Sequence, residues 1–200
     1  MRSPGAVLAL ALLCTVPAQG QQANGEAEYS RWAVTAFTGR MTENVWFGIP
    51  TLPEIVAFSD VRLFGLAASC RLARLANGME FEVEGHVAKY KGAQDNWEVN
   101  LPLVARWNRF PWSGRLRTSA AFGLGLSWAA STPDYEITKG NGSEQLLAYW
   151  MVDLDAGPKG SPWSVVARLH HRSVAFGVFG ESGGANTMVL GLRYRFGHPR

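Results

Sequence analysis

Trp163-Ser-Val-Val-Ala-Arg-Leu-His-His-Arg-Ser173 decides the fold of this chain, because alternation sorts it into two faces with different chemistry. Successive side chains of a β-strand point to opposite sides of the sheet. One face therefore reads Trp163, Val165, Ala167, Leu169, His171 and Ser173, and the other Ser164, Val166, Arg168, His170 and Arg172. Four apolar residues end in a His and a Ser on one side, while charge collects on the other. A sheet that hides its charges and shows its hydrocarbon is the wall of a membrane barrel. His171 and Ser173 then lie on the outside of that wall, near its rim, as a candidate base and nucleophile.

Seven further runs alternate in the same way. They are Arg31–Arg40, Arg62–Leu72, Met79–Lys89, Trp97–Trp107, Leu116–Trp128, Leu146–Leu154 and Thr187–Phe196. Met79–Lys89 is the sharpest, with Met79, Phe81, Val83 and Val87 opposing Glu80, Glu82, Glu84 and His86. Pro102, inside the fourth run, lacks the N–H that a ladder needs and predicts a bulge there. A soluble sandwich also alternates. Two features favour the barrel. The polar faces carry both signs of charge, Glu80, Glu82 and Glu84 against Arg71, Arg106, Arg168, Arg172, Arg193 and Arg195, which a narrow lumen can pair. Aromatics such as Trp97, Trp128, Trp163 and Phe196 gather at run ends, as interfacial girdles do.

The connections sort as well. Met41–Val61, Ala129–Gln145 and Ala175–Asn186 are long, whereas Ala73–Gly78, Asn108–Arg115 and Gly157–Pro162 are short; Lys91–Asn96 is short on the long side. Long loops at one end and tight turns at the other is the outer-membrane arrangement. The expected fold is an all-β, eight-stranded antiparallel transmembrane barrel.

Residues 1–20 read as a secretory signal: Arg2, an apolar run from Ala6 to Val16, then small residues before a cut after Gly20. The run is too short to span a bilayer as a helix, which takes about 20 residues. Residues 21–200 form the single barrel domain. Loss of Arg2 leaves 18 Lys+Arg against 16 Asp+Glu, a net charge of +2. That balance, without a Lys/Arg cluster, gives no reason to invoke nucleic acid. Mean hydropathy is close to zero although 47% of residues are hydrophobic. A barrel reconciles the two, because lumen residues dilute its hydropathy. His170 and His86 face the lumen as hydrogen-bonded structural residues, and no His/Cys spacing suggests zinc, so neither metal nor cofactor is expected.

His171-Arg172-Ser173 and the closing Leu190-Gly-Leu-Arg-Tyr-Arg-Phe196 resemble the outer-membrane lipid A 3-O-deacylases, the PagL family. The resemblance covers most of residues 21–200 in architecture and the last forty residues in motif. It implies an exterior His-x-Ser pair, an acid orienting the His, and metal-free release of an ester-linked acyl chain from lipopolysaccharide in the outer leaflet. It leaves a homodimer open. The family follows its Ser with an oxyanion-binding Asn, where this chain has Val174. The family's acid falls where this chain has Ala185 and Asn186, so Glu181 or Asn186 is the orienting candidate. The other reading of the same barrel is non-enzymatic: a structural protein, or one that presents its long loops to partners.

Overall fold

With apolar residues outward along most of each strand, the chain satisfies its backbone by closure: each strand pairs with the next, and the last pairs with the first. The computed structural model describes residues 30–43, 56–138, 142–181 and 183–197. Its strands are β1 (Trp32–Thr42), β2 (Phe58–Arg74), β3 (Met79–Gly92), β4 (Trp97–Trp107), β5 (Leu116–Ala129), β6 (Leu146–Pro158), β7 (Trp163–Ser173) and β8 (Gly184–Phe196). They form a closed antiparallel barrel in sequence order, with β8 paired to β1 from Trp32↔Phe196 to Thr42↔Asn186. One short helix, α1 (Asp134–Thr138), lies in the β5–β6 connection. The expected signal segment, residues 1–20, lies outside the described residues.

The exterior is apolar. Leu66, Leu103, Leu124, Leu154 and Leu190 are each more than half exposed, an arrangement that water penalises and hydrocarbon does not. Trp163, Tyr194 and Phe196 stack side by side at the short-turn end, and Trp97 and Trp128 stand at the long-loop end. These are the two girdles expected of a spanning barrel.

Eight strands enclose a space that side chains can fill, and here they fill it with paired charge. Arg168 donates to both oxygens of Glu84 and both of Asp153. Arg106 grips Glu82 through two nitrogens, at 2.8 and 3.2 Å. Arg193 reaches Asp153 and Asp155, and Arg195 also binds Asp155. Towards the long loops the lumen turns apolar, with Phe37, Met41, Val61, Leu63, Tyr90 and Val189 packed together. Glu80, Glu82, Glu84, Arg168 and Arg193 all point inward as the alternation requires.

Three expectations need correction. Pro102 makes no bulge: it pairs with Gly125, and the β3–β4 register is unchanged on either side of it, from Val83↔Leu103 to His86↔Asn100. The two backbones approach closely here, since a Cβ on Gly125 would lie 2.1 Å from the Leu101 oxygen and 2.6 Å from the Pro102 Cα. The real irregularities fall in β1–β2 between Arg40 and Thr42 and in β2–β3 between Arg71 and Ala73. Strands β2, β6 and β8 run longer than their apolar alternation. In particular β8 begins at Gly184, so Asn186 is a strand residue and not part of a loop.

Candidate functional site

Strand β7 carries His171 and Ser173 to the long-loop end of the exterior face. The ladder chooses their neighbours. His171 is paired with Trp150 on β6 and with Asn186 on β8; Ser173 is paired with Ala148 on β6 and Gly184 on β8. The Trp150 ring covers the imidazole, with centroids 4.4 Å apart and planes 34° apart. The Asn186 Oδ1 lies 2.7 Å from His171 Nδ1. An amide oxygen accepts only, so Nδ1 carries the proton and the ring's lone pair sits on Nε2. Covered by these two neighbours, His171 is only 8% exposed although it stands on the outer face.

Small partners leave Ser173 open. Gly184, at φ 127, could not carry a side chain, because a Cβ would lie 2.2 Å from the Arg172 oxygen. Ser173 Oγ accepts from the Ala175 N–H at 3.4 Å, and no hydrogen bond joins it to His171. Two residues along a strand is a separation of roughly 7 Å, so the two side chains must converge to act together.

Beyond Ser173 the backbone takes an unusual course. Ala175 and Phe176 both have left-handed φ, 48° and 57°, which costs about 1–2 kcal/mol per residue for a side chain with a Cβ. The turn is closed by Phe179 N–H donating to the Val174 oxygen at 3.0 Å. It throws Phe176 wholly into the surroundings, with Val178 also exposed. Phe176 becomes one wall of an exterior groove of about 1290 Å³, which Trp150, Leu124, Leu169, His171 and Ser173 also line.

Of the two candidate orienting groups, the structure brings only Asn186 to His171. Glu181 is exposed on the β7–β8 connection and makes no bond to the ring among the described residues. Arg172 turns inward, where it faces Glu98 and Glu136, each at 3.6 Å, and donates to the Glu144 oxygen at 2.7 Å. Burial pushes the Glu136 carboxyl above the usual carboxylate range, against the pull of Arg172.

The lumen holds a cluster that spacing along the chain did not reveal. His86 on β3, Glu98 on β4 and His170 on β7 bring their donor atoms within 4.8 Å of one another. Each is already engaged. His170 Nε2 contacts Glu98 at 2.9 Å, Asn100 bridges His86 Nε2 and Glu98 at 2.7 Å each, and Tyr149 packs edge-on to His170. The geometry is that of a hydrogen-bonded polar core continuous with the arginine–carboxylate network.

No protein-family model matches the chain, and no curated protein matches its sequence. Its fold does match solved structures. One is the outer membrane enzyme PagL, with 13% identity and a TM-score of 0.59, covering 82% of this chain and 99% of that one. Another is Neisserial surface protein A, with 14% identity and a TM-score of 0.51, covering 85% of this chain and all of that one. At these identities the likeness is one of fold: an eight-stranded outer-membrane barrel, an architecture shared by an enzyme and a surface protein.

Proposed function

We propose that this chain is an outer-membrane ester hydrolase that removes an ester-linked acyl chain from the lipid A of lipopolysaccharide. The observation that carries the reading is the His171–Asn186 contact on the exterior face, with Ser173 next along that face and an apolar groove beneath both. A histidine turned towards hydrocarbon and held in one tautomer by a neutral partner has little structural purpose. It is what a base needs in order to accept a proton at Nε2.

In the proposed reaction Ser173 Oγ–H gives its proton to His171 Nε2 while Oγ bonds to the acyl carbonyl carbon. The carbonyl oxygen becomes an oxyanion. As it collapses, the ester C–O bond breaks and His171 returns the proton to the departing sugar oxygen. Water then repeats the sequence on the acyl-serine, releasing a fatty acid and restoring Ser173. The Ala175 N–H, which donates to Ser173 Oγ, is a backbone donor available beside the nucleophile once an acyl group is bound there. Trp150 excludes water from the ring, and Phe176 extends the apolar wall on which an acyl chain lies. A substrate embedded in the outer leaflet reaches such a site without leaving the membrane.

The absence of a Ser173–His171 hydrogen bond favours a second reading, a non-enzymatic barrel acting through its loops. Incubating the purified protein in detergent with lipopolysaccharide distinguishes them. Release of fatty acid that is lost in Ser173→Ala supports the hydrolase; no release from the unaltered protein supports the second reading.

A further inference from the structure

The same groove has a charged edge that the proposed chemistry does not use. Arg40 and Arg62 line it together with His171 and Ser173. They are direct cross-strand partners on β1 and β2 and both are exposed on the outer face. A ladder row links them to the site: Leu169 pairs with Met188, Met188 with Arg40, and Arg40 with Arg62. At about 4.8 Å per strand, Arg40 stands roughly 10 Å across the sheet from β7 and Arg62 roughly 14 Å.

Neither arginine is neutralised. Arg40 is steadied by two contacts that leave its charge available: one nitrogen donates to the Ser59 oxygen at 2.9 Å, and the guanidinium lies 5.5 Å from the Phe58 ring centre. No ion pair joins either arginine to a carboxylate among the described residues. The contrast with the next cation in the row is informative. Lys91, the partner of Arg62 on β3, is paired with Asp95, which also holds Lys89. In the lumen Arg71, Arg106, Arg168, Arg172, Arg193 and Arg195 are each matched by a carboxylate. The two beside the apolar groove keep their charge unpaired among the described residues.

We infer that Arg40 and Arg62 form a phosphate clamp for a phosphorylated glycolipid of the outer leaflet, seating its headgroup while its acyl chains lie in the groove. Guanidinium groups match phosphate oxygens in pairs of parallel hydrogen bonds. An apolar trough ending in two free cations at the long-loop end has the polarity of an anionic lipid set upright in that leaflet. The inference rests on the same seating of the lipid as the proposed hydrolysis, though not on hydrolysis taking place.

The test is calorimetric titration of full-length Ser173→Ala protein, in zwitterionic detergent, with bisphosphorylated lipid A and with the dephosphorylated lipid of identical acylation. The phosphorylated lipid should bind at least about tenfold more tightly, with the difference shrinking as salt is raised. Arg40→Gln with Arg62→Gln should abolish the preference, and the pair of Arg→Lys changes should restore part of it. Equal binding of the two lipids, no binding of either, or a preference that survives the double Gln variant would overturn the inference. The comparison of lipids uses protein with both arginines intact, so it holds whether or not a variant folds. A phosphate preference without fatty-acid release by the Ser173 protein keeps the clamp and ends the hydrolase reading. Fatty-acid release without a phosphate preference does the reverse.

Discussion

Asn186 stands directly opposite His171 across the β7–β8 ladder, with its Oδ1 2.7 Å from the ring Nδ1. The imidazole is therefore held by strand geometry, which is more rigid than a loop. Its orientation should depend on Asn186 and not on Glu181. Asn186→Ala is expected to lower the rate of lipid A deacylation by about ten- to a hundredfold, the scale of a lost orienting partner. Asn186→Asp keeps an acceptor and should retain most of the rate. Glu181→Ala should leave it unchanged. Steady-state release of fatty acid by the three variants checks this, and a large loss in Glu181→Ala would show that the loop closes over the site.

Adjacent histidines offer a parity control. His171→Ala should reduce deacylation by at least about a thousandfold, because a nucleophile without its base loses nearly the whole benefit of the pair. His170 points into the lumen, where it contacts Glu98, Tyr90 and Tyr149. Its replacement by Ala should lower stability while leaving the rate per folded molecule close to that of the unaltered protein. Rates normalised to the heat-modifiable folded band on a gel separate these effects.

On the proposed deacylase reading Val174 stands where an oxyanion-binding Asn would follow the nucleophile, and it lines the groove beside Ser173. One such donor is typically worth about a hundredfold or more in rate. Val174→Asn should therefore raise kcat, by about tenfold or more if the side chain reaches the carbonyl oxygen. Single-turnover assays read this directly. An unchanged rate would mean that the backbone around Ala175 already provides the stabilisation.

The lumen network makes a prediction independent of catalysis. Arg168 satisfies Glu84 and Asp153 at once, and all three are buried. Arg168→Met takes from Glu84 its two short guanidinium bonds and leaves Asp153 with Arg193 as its close partner, and should destabilise the barrel by about 3–5 kcal/mol, the usual cost of breaking a buried pair. Reversible urea unfolding in lipid vesicles measures it. Adding Glu84→Gln should recover part of the loss, because the carboxylate left with the poorest pairing is then neutral.

Strand register was legible in the sequence wherever one face meets hydrocarbon and the other meets charge. Trp97–Trp107 and Trp163–Ser173 keep the bounds that alternation gives them. At the long-loop end the polarity inverts. Val61, Leu63 and Tyr90 point inward to an apolar plug, while Asp60, Arg62, Lys89 and Lys91 point outward. An apolar-out rule therefore stops short of the true strand end, which is why alternation starts the second run at Arg62 whereas β2 begins at Phe58. Gly183-Gly184-Ala185-Asn186 reads as loop for a similar reason: small and polar residues hide the β-strand. A parity signal was nevertheless present, since Asn186 is two residues from the outward Met188. Proximities that cross several strands, such as His86, Glu98 and His170 in the lumen or Arg40 and Arg62 beside the groove, are set by closure and register, and no local pattern contains them.

The central claim is that Ser173 and His171 on the outer face remove an acyl chain from lipid A. Mass spectrometry of lipid A from cells producing the unaltered protein, Ser173→Ala, or no protein tests it most directly. The expected result is a lipid A species lighter by one ester-linked acyl chain in the first strain only, with Ser173→Ala folded and present at equal level in the outer membrane. Identical lipid A in all three strains, or the shortened species persisting in Ser173→Ala, would contradict it.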